Sequence, residues 1–232
     1  MEENKNISLP ANEFAEGKVL LINKPFQWTS FDVVKKIRYL VKTKKVGHAG
    51  TLDPLATGLL IVCTGKFTKK INDYMAQEKE YTGSFTLGAT TPTFDMESKP
   101  ENFKPVDDIS EKDIHAAARK FIGEIMQIPP AHSAIKVGGK RVYELARKGE
   151  EVKLKSREIF IKEFDILKIE MPVVYFRVVC STGTYIRSLA NDFGEALRCG
   201  AYLLSLTRTR IGDFRLEDAI SIESFEKKVK QG

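Results

Sequence analysis

The residue pattern predicts an α+β fold with a mixed, mostly antiparallel central sheet flanked by helices and loops. Tyr81 to Gly88 alternates Tyr81, Phe85 and Leu87 with Thr82, Ser84 and Thr86, the period of a half-buried strand. The stretches after Thr29 and after Ser110 open with hydroxyl–acid capping signals and continue at helical spacing. Strands and helices mix without the regular alternation that builds a parallel sheet.

Residues 1–17 are polar and carry little pattern, so they read as a loosely held arm before one domain spanning 18–232. Lys18 to Asn23 reads as a buried strand closed by the turn Asn23-Lys24-Pro25. Thr29 and Asp32 cap a helix carrying Val34, Ile37 and Val41, and Lys42-Thr43-Lys44-Lys45 ends it with charge suited to the C-terminal dipole. Gly47 to Leu60 reads as a loop, because glycine and proline break regular elements. Leu59 to Cys63 follows as a core run, and Lys66 to Gln77 as a second basic helix. Ala89 to Asp108 reads as an exposed loop. The helix capped by Ser110 and Asp113 presents Ile114, Ala117, Phe121 and Ile125 inward and stops at Pro129-Pro130.

The stretch from Ala131 to Val152 is basic and polar around a Gly138-Gly139 turn. Strands are predicted at Ile159–Ile169 and Val173–Cys180, followed by a glycine turn and a helix bearing Ile186, Leu189, Ala190, Phe193 and Leu197. Ala201–Leu206 and Arg210–Phe214 read as a further hairpin. A last helix after Ser221 turns Phe225 and Val229 inward.

At 232 residues the chain is long enough for a full hydrophobic core. Its 37 Lys and Arg against 31 Asp and Glu give +6, an excess that suits a polyanionic partner such as RNA. Cys63, Cys180 and Cys199 lie far apart and read as buried free thiols, which points to a reducing compartment and no zinc site. No apolar run approaches the roughly 20 residues of a membrane span, and the N-terminus does not resemble a signal peptide. A cytoplasmic protein is expected.

The candidate chemistry centres on Gly47 to Leu60, which sets three glycines, one proline and two threonines around a single carboxylate, Asp53. Rigid loops on a scaffold are where reactive groups sit. Gly65-Lys66-Phe67 fails the phosphate-loop pattern, and no G-x-G-x-x-G or G-x-S-x-G is present. His48, His115 and His132 show no metal spacing. What remains is Asp53 as nucleophile or base with a cationic helper. Arg187, opening a helix just after the Gly183 turn, fits a helper that holds a carboxylate ionised; the alternative is an ordinary surface arginine. Lys42, Lys44 and Lys45 suit either phosphate contacts or a solvated helix end.

Several blocks resemble one known family. Gly47 to Leu60 is similar to the catalytic loop of TruB-type tRNA pseudouridine synthases. The resemblance continues at Lys79-Glu80-Tyr81, Pro129-Pro130, Ser133 to Val137, Arg141 to Arg147 and Cys180 to Arg187, in the family's order across Lys18 to Phe214. It implies the pseudouridine synthase fold, with 18–232 as its catalytic domain, and isomerisation of uridine 55 in the tRNA T-loop. It also implies no cofactor or metal, and a monomer that acts on the T-arm without a membrane or an obligatory protein partner.

By that resemblance Asp53 is the catalytic aspartate, Tyr81 the tyrosine stacked on the target base, and Arg187 the arginine paired with the aspartate. Leu206 stands against the uracil, and Tyr185 belongs to the substrate-binding set. The target must be flipped out of its loop, and His48 matches the residue that intrudes there. Lys136, Arg141 and Arg147 are candidate phosphate contacts, so affinity is expected to fall with salt. Two departures stand out. Only 18 residues follow Phe214, which leaves no room for the family's C-terminal RNA-binding PUA domain, and His132 stands where Tyr or Phe is usual. A tRNA-folding chaperone is the alternative from another class, and a hydrolase using Asp53 is a third.

Overall fold

The chain divides into two units. The computed structural model describes residues 13–131, 136–137, 140–141 and 154–231. They fall into a first unit of residues 1–76 with 213–232, and a second of residues 77–212. The first unit begins with α1 (Glu13–Glu16), β1 (Val19–Lys24), α2 (Ser30–Leu40), β2 (Val46–Ala49), β3 (Thr57–Thr64) and α3 (Ile71–Ala76). The second holds β4 (Lys79–Leu87), α4 (Glu111–Arg119), β5 (Gly123–Gln127), β6 (Lys136–Val137), β7 (Lys140–Arg141), β8 (Arg157–Glu170), β9 (Val173–Cys180), α5 (Ile186–Ala196) and β10 (Ala201–Ile211). The chain then returns to the first unit with β11 (Phe214–Arg215) and α6 (Ile222–Gln231).

In the first unit β3 runs antiparallel between β1 and β2, with Leu21 opposite Ile61 and Gly47 opposite Cys63. Leu59 to Cys63 is wholly buried, which explains an apolar run with no polar alternation. Val33, Val34 and Ile37 of α2 pack with Ile22, Leu60, Val62 and Phe225. The Thr29–Asp32 capping box forms as predicted, and hydrogen bonds from Thr29 hold the Asp32 carboxyl below its usual range. Phe14 meets Phe225 edge-on at 6.1 Å, so Glu13–Glu16 is folded against this core although the sequence reads 1–17 as a loose arm.

In the second unit the antiparallel order is β10, β4, β9, β8, β5. Its core is aromatic: Phe85 stacks on Phe176 at 4.1 Å, and Phe164 meets Phe193 at 5.7 Å. Lys136–Val137 pairs antiparallel with Lys140–Arg141. The three cysteines are free and buried, and burial pushes Cys63 up to about 11 and Cys180 up to about 12.

Several expectations change. Gly47 to Leu60 is not all loop: β2 takes one end and β3 the other, leaving 50–56 as the turn. Ile125 lies on β5, because Gly123 with φ 104° ends the helical path. Of the expected hairpin, Ala201–Ile211 forms one long strand, β10, with register shifts near Leu203 and Arg208, and Phe214 falls on β11. The second basic helix is a 3-10 turn, Gly65–Lys70, followed by α3.

Asp192 on α5 gives this fold a pH signature. Burial pushes its carboxyl up to about 6. The folded state therefore holds that proton more tightly than the unfolded chain, whose value is about 3.9. The contribution is full below about pH 4 and is lost as the pH rises through 6. Asp192→Asn, neutral throughout, is expected to exceed wild type by on the order of 1 to 3 kcal/mol near pH 8 and by roughly half as much near pH 5. Urea midpoints at the two pH values check this, and a difference independent of pH rejects it.

Candidate active site

The Asp53 turn is held through the peptides on both sides of the acid. Ser30 Oγ donates to Leu52 O at 3.1 Å and accepts from Leu52 N at 2.8 Å. On the other side, Pro54 O accepts from Gln27 N at 2.9 Å and from Lys24 Nζ at 3.3 Å. Lys24 Nζ also donates to Pro25 O and Trp28 O. Ala56 N closes the turn on Asp53 O at 3.1 Å. Gly50, at φ 89°, adopts the left-handed conformation that the turn requires. Asp53 itself is half-buried, so its carboxylate sits on a backbone with little freedom while remaining reachable.

His48 lies on β2 opposite Val62, half-buried and two residues before the Gly50 turn. A Cβ at the preceding Gly47 would stand 2.7 Å from Ile71 Cδ1, so glycine there allows α3 to close on the strand. Lys42, Lys44 and Lys45 are exposed between α2 and β2.

Tyr81, Leu206, Tyr185 and Arg187 belong to the second unit. Tyr81 on β4 stands opposite Val178 and Arg208, and Leu206 opposite Gly83. Tyr81, Leu206 and Arg208 therefore share one face of the sheet, all buried, as an aromatic and aliphatic wall with a cation beside it. Lys79 is buried too, and desolvation together with the nearby Arg208 charge lowers it to about 8. An anionic group brought to this wall meets positive charge at little reorganisation cost.

Arg187, in the first turn of α5, is only 5% exposed and donates from Nη1 to Thr93 O at 3.3 Å. Its Nε lies 3.7 Å from Oδ2 of Asp95, which is 4% exposed. Glu97 N donates to Asp95 Oδ1 at 3.0 Å, and Thr91 Oγ1 donates to Asp95 O at 2.8 Å, so the 91–98 loop folds around this acid. Asp95 is the residue that sequence reasoning missed. It falls in a stretch read as an exposed acidic loop, and a buried acid outside a helix or strand leaves no periodic signal. The surface-arginine alternative for Arg187 is excluded by its burial.

Tyr185 is the N-cap of α5, and both of its backbone polar groups pair with the buried Gln127 side chain, at 2.8 and 3.1 Å. The Arg157 guanidinium lies 4.5 Å from the Tyr185 ring centroid and donates to Gly183 O. Lys136 and Arg141 stand opposite each other across β6 and β7. Arg147 and His132 lie outside the described residues. Among the described residues no cluster of His, Cys, Asp or Glu is arranged to hold a metal, and no helix is long and apolar enough to cross a membrane.

A sequence profile described as "TruB family pseudouridylate synthase (N terminal domain)" matches residues 38–186, and a second, "tRNA pseudouridylate synthase B C-terminal domain", matches 187–231. A protein named tRNA pseudouridine synthase B from Flavobacterium johnsoniae is 52% identical, over 94% of this chain and 98% of its own. Its namesake from Phocaeicola vulgatus is 54% identical, over 94% and 95%. Among solved structures, a chain from a Cbf5–Nop10–Gar1 complex is 31% identical with a TM-score of 0.73, covering 97% of this chain and 60% of that one. A chain from an H/ACA RNP bound to a substrate RNA containing 2′-deoxyuridine is 28% identical with a TM-score of 0.71, covering 94% and 55%. This chain thus spans a little over half the length of those two solved chains.

The Arg187–Asp95 pair is a buried ion pair of the second unit. Asp95→Asn removes the charge that faces a buried guanidinium and is expected to lower the unfolding free energy by roughly 2 to 5 kcal/mol. In a double-mutant cycle with Arg187→Met, urea denaturation should show a coupling of roughly 1 to 3 kcal/mol. Strict additivity would show that the two charges do not interact.

Proposed function

This chain belongs to the TruB family of pseudouridylate synthases and has that family's α+β fold, and from that premise we propose that it isomerises uridine 55 in the tRNA T-loop to pseudouridine. The observation that carries the reading is the Asp53 turn, clamped at Leu52 and at Pro54, within a chain that matches the family from residue 38 to residue 231. A fixed backbone under a reachable carboxylate suits chemistry at one sugar carbon.

In this reading the N-glycosidic bond breaks with Asp53 acting on the electron-poor ribose, by analogy with other glycosidic chemistry. The uracil turns and rejoins through its ring carbon. That carbon gives up its proton and the freed ring nitrogen gains one, so the change is an isomerisation that needs no oxidant and no cofactor. Tyr81 and Leu206 form the wall against which the base is held, with Tyr185 beside them in substrate binding. Arg187 is assigned by the family resemblance as the cationic partner of the catalytic aspartate, while within its own unit its guanidinium faces Asp95. His48 occupies the space vacated by the flipped base. Lys136, Arg141 and Arg147 take the phosphates, and the enzyme acts as a monomer in the cytoplasm.

Mass spectrometry of a tRNA transcript after incubation with the protein alone tests the reading, with one new pseudouridine expected in the T-loop. Asp53→Asn is expected to cut product formation roughly a thousandfold or more while tRNA affinity stays within about threefold. Conversion at the wild-type rate would remove Asp53 from the mechanism. Affinity should also fall roughly 10- to 50-fold between about 50 and 200 mM salt if three phosphates are held, and a flat response would rule those contacts out.

A further inference from the structure

Outside the features used so far, the outward side of α2 carries an open groove of about 500 Å³ lined by Gln27, Trp28, Asp32, Lys35, Lys36 and Tyr39. Counted from Trp28, Asp32, Lys35, Lys36 and Tyr39 fall one, two and three helical turns on, so they share one face, and Asp32 to Tyr39 spans about 10 Å of helix. Tyr39 at its far end is 77% exposed, and Phe31, one turn before Lys35, is 61% exposed. At the near end Gln27 adopts φ 64° and donates its N–H to Pro54 O, so the groove begins where the Asp53 turn is anchored. Beyond Tyr39 the helix runs into the exposed Lys42, Lys44 and Lys45.

We propose that this groove holds unpaired nucleotides of the substrate RNA outside the hairpin loop that carries the target, an inference resting on the function proposed above. Charge complementarity selects the occupant. Five lysines, Lys35, Lys36, Lys42, Lys44 and Lys45, line the groove or continue it. The acids against them are Asp32, whose Oδ2 is taken by the cap at Thr29, and Glu226, bound to Lys36 at 2.7 Å. Lysine is depleted at protein–protein interfaces, whereas exposed rings interleaved with cations form a platform for single-stranded nucleic acid: each base stacks on a ring while lysines follow the phosphates. The groove's length exceeds one nucleotide, and its start beside Pro54 gives an RNA positioned at Asp53 a direct route into it.

Trp28 is the only tryptophan in the chain, so its emission reports on the groove. The test titrates wild type, Tyr39→Ala and Tyr39→Phe with a full-length tRNA transcript and with the isolated T-arm hairpin, following Trp28 fluorescence, affinity and pseudouridine formation. Full-length tRNA is expected to quench Trp28 saturably. Tyr39→Ala should weaken tRNA binding about tenfold, leave hairpin binding within about twofold, and be rescued by Tyr39→Phe, because only the ring is needed. Equal effects of Tyr39→Ala on both RNAs, no effect on either, or Trp28 emission that answers to protein concentration through self-association would each overturn the proposal. If Trp28 and Tyr39 respond as expected while neither RNA gains pseudouridine, the catalytic reading fails and the groove stands. Normal conversion with an unresponsive groove overturns the groove and leaves the catalytic reading in place.

Discussion

The ammonium of Lys24 is the constraint on which the Asp53 corner depends. Its side chain is fully buried, and Nζ donates to the carbonyls of Pro25, Trp28 and Pro54. These belong to the exit of β1, the entry to α2 and the turn beside Asp53. A buried ammonium is tolerated only where dipoles replace its lost hydration, so the three segments must keep their carbonyls converged on one point. Gln27 shows the consequence: it takes a left-handed φ that a side chain rarely adopts, and its N–H joins the same Pro54 carbonyl. A single charge thus converts three loosely related loop segments into one rigid mount.

The second unit fixes its groups differently. Tyr81 and Leu206 are set by sheet register over a core of stacked phenylalanines, so moving either ring or leucine requires moving whole strands. Arg187 is fixed by charge, facing Asp95, while the backbone of its helix is fixed by the Gln127 amide at Tyr185 and by Ser188 Oγ donating to Ile128 O. The end of β5 therefore sets where α5 starts. Packing, a buried ion pair and side-chain caps each supply a part of the rigidity that a reacting geometry needs.

What the sequence made legible follows the range of the interactions involved. Capping at Thr29 and Ser110 is local, and both helices start where the hydroxyl–acid pairs predict. The alternation in Tyr81 to Leu87 is local too, and its one departure, buried Ser84, is explained by a hydrogen bond to Ser205 across 121 residues. Ile125 is misplaced by periodicity because a strand of five residues can share helical spacing with the helix before it, until Gly123 is known to hold a left-handed φ. The Asp53 turn is legible as a segment because glycine and proline announce turns. Its clamp is not: Lys24, 30 residues from Pro54, reads as one more polar residue in a turn. Asp95 and Arg208 escape for the same reason, since a buried charge is defined by partners that lie far away in the chain.

The charge distribution also separates cations that hold the fold from cations available to a polyanion. Arg177 binds Glu80, Glu163 and Asp165 at 2.6 to 2.8 Å, Arg210 binds Glu78, and Lys162 shares that acid. These arginines are spent across neighbouring strands, where several acids compete for each of them and an incoming phosphate would have to displace a carboxylate. Among the described residues the exposed lysines at the end of α2 form no such network, and they lead directly into β2 and the strand position of His48. A net charge of +6 is too small to attract RNA strongly if it is spread evenly over 232 residues. With those cations of the second unit held by acids, Lys42, Lys44 and Lys45 are among the exposed positive charges left for a polyanion.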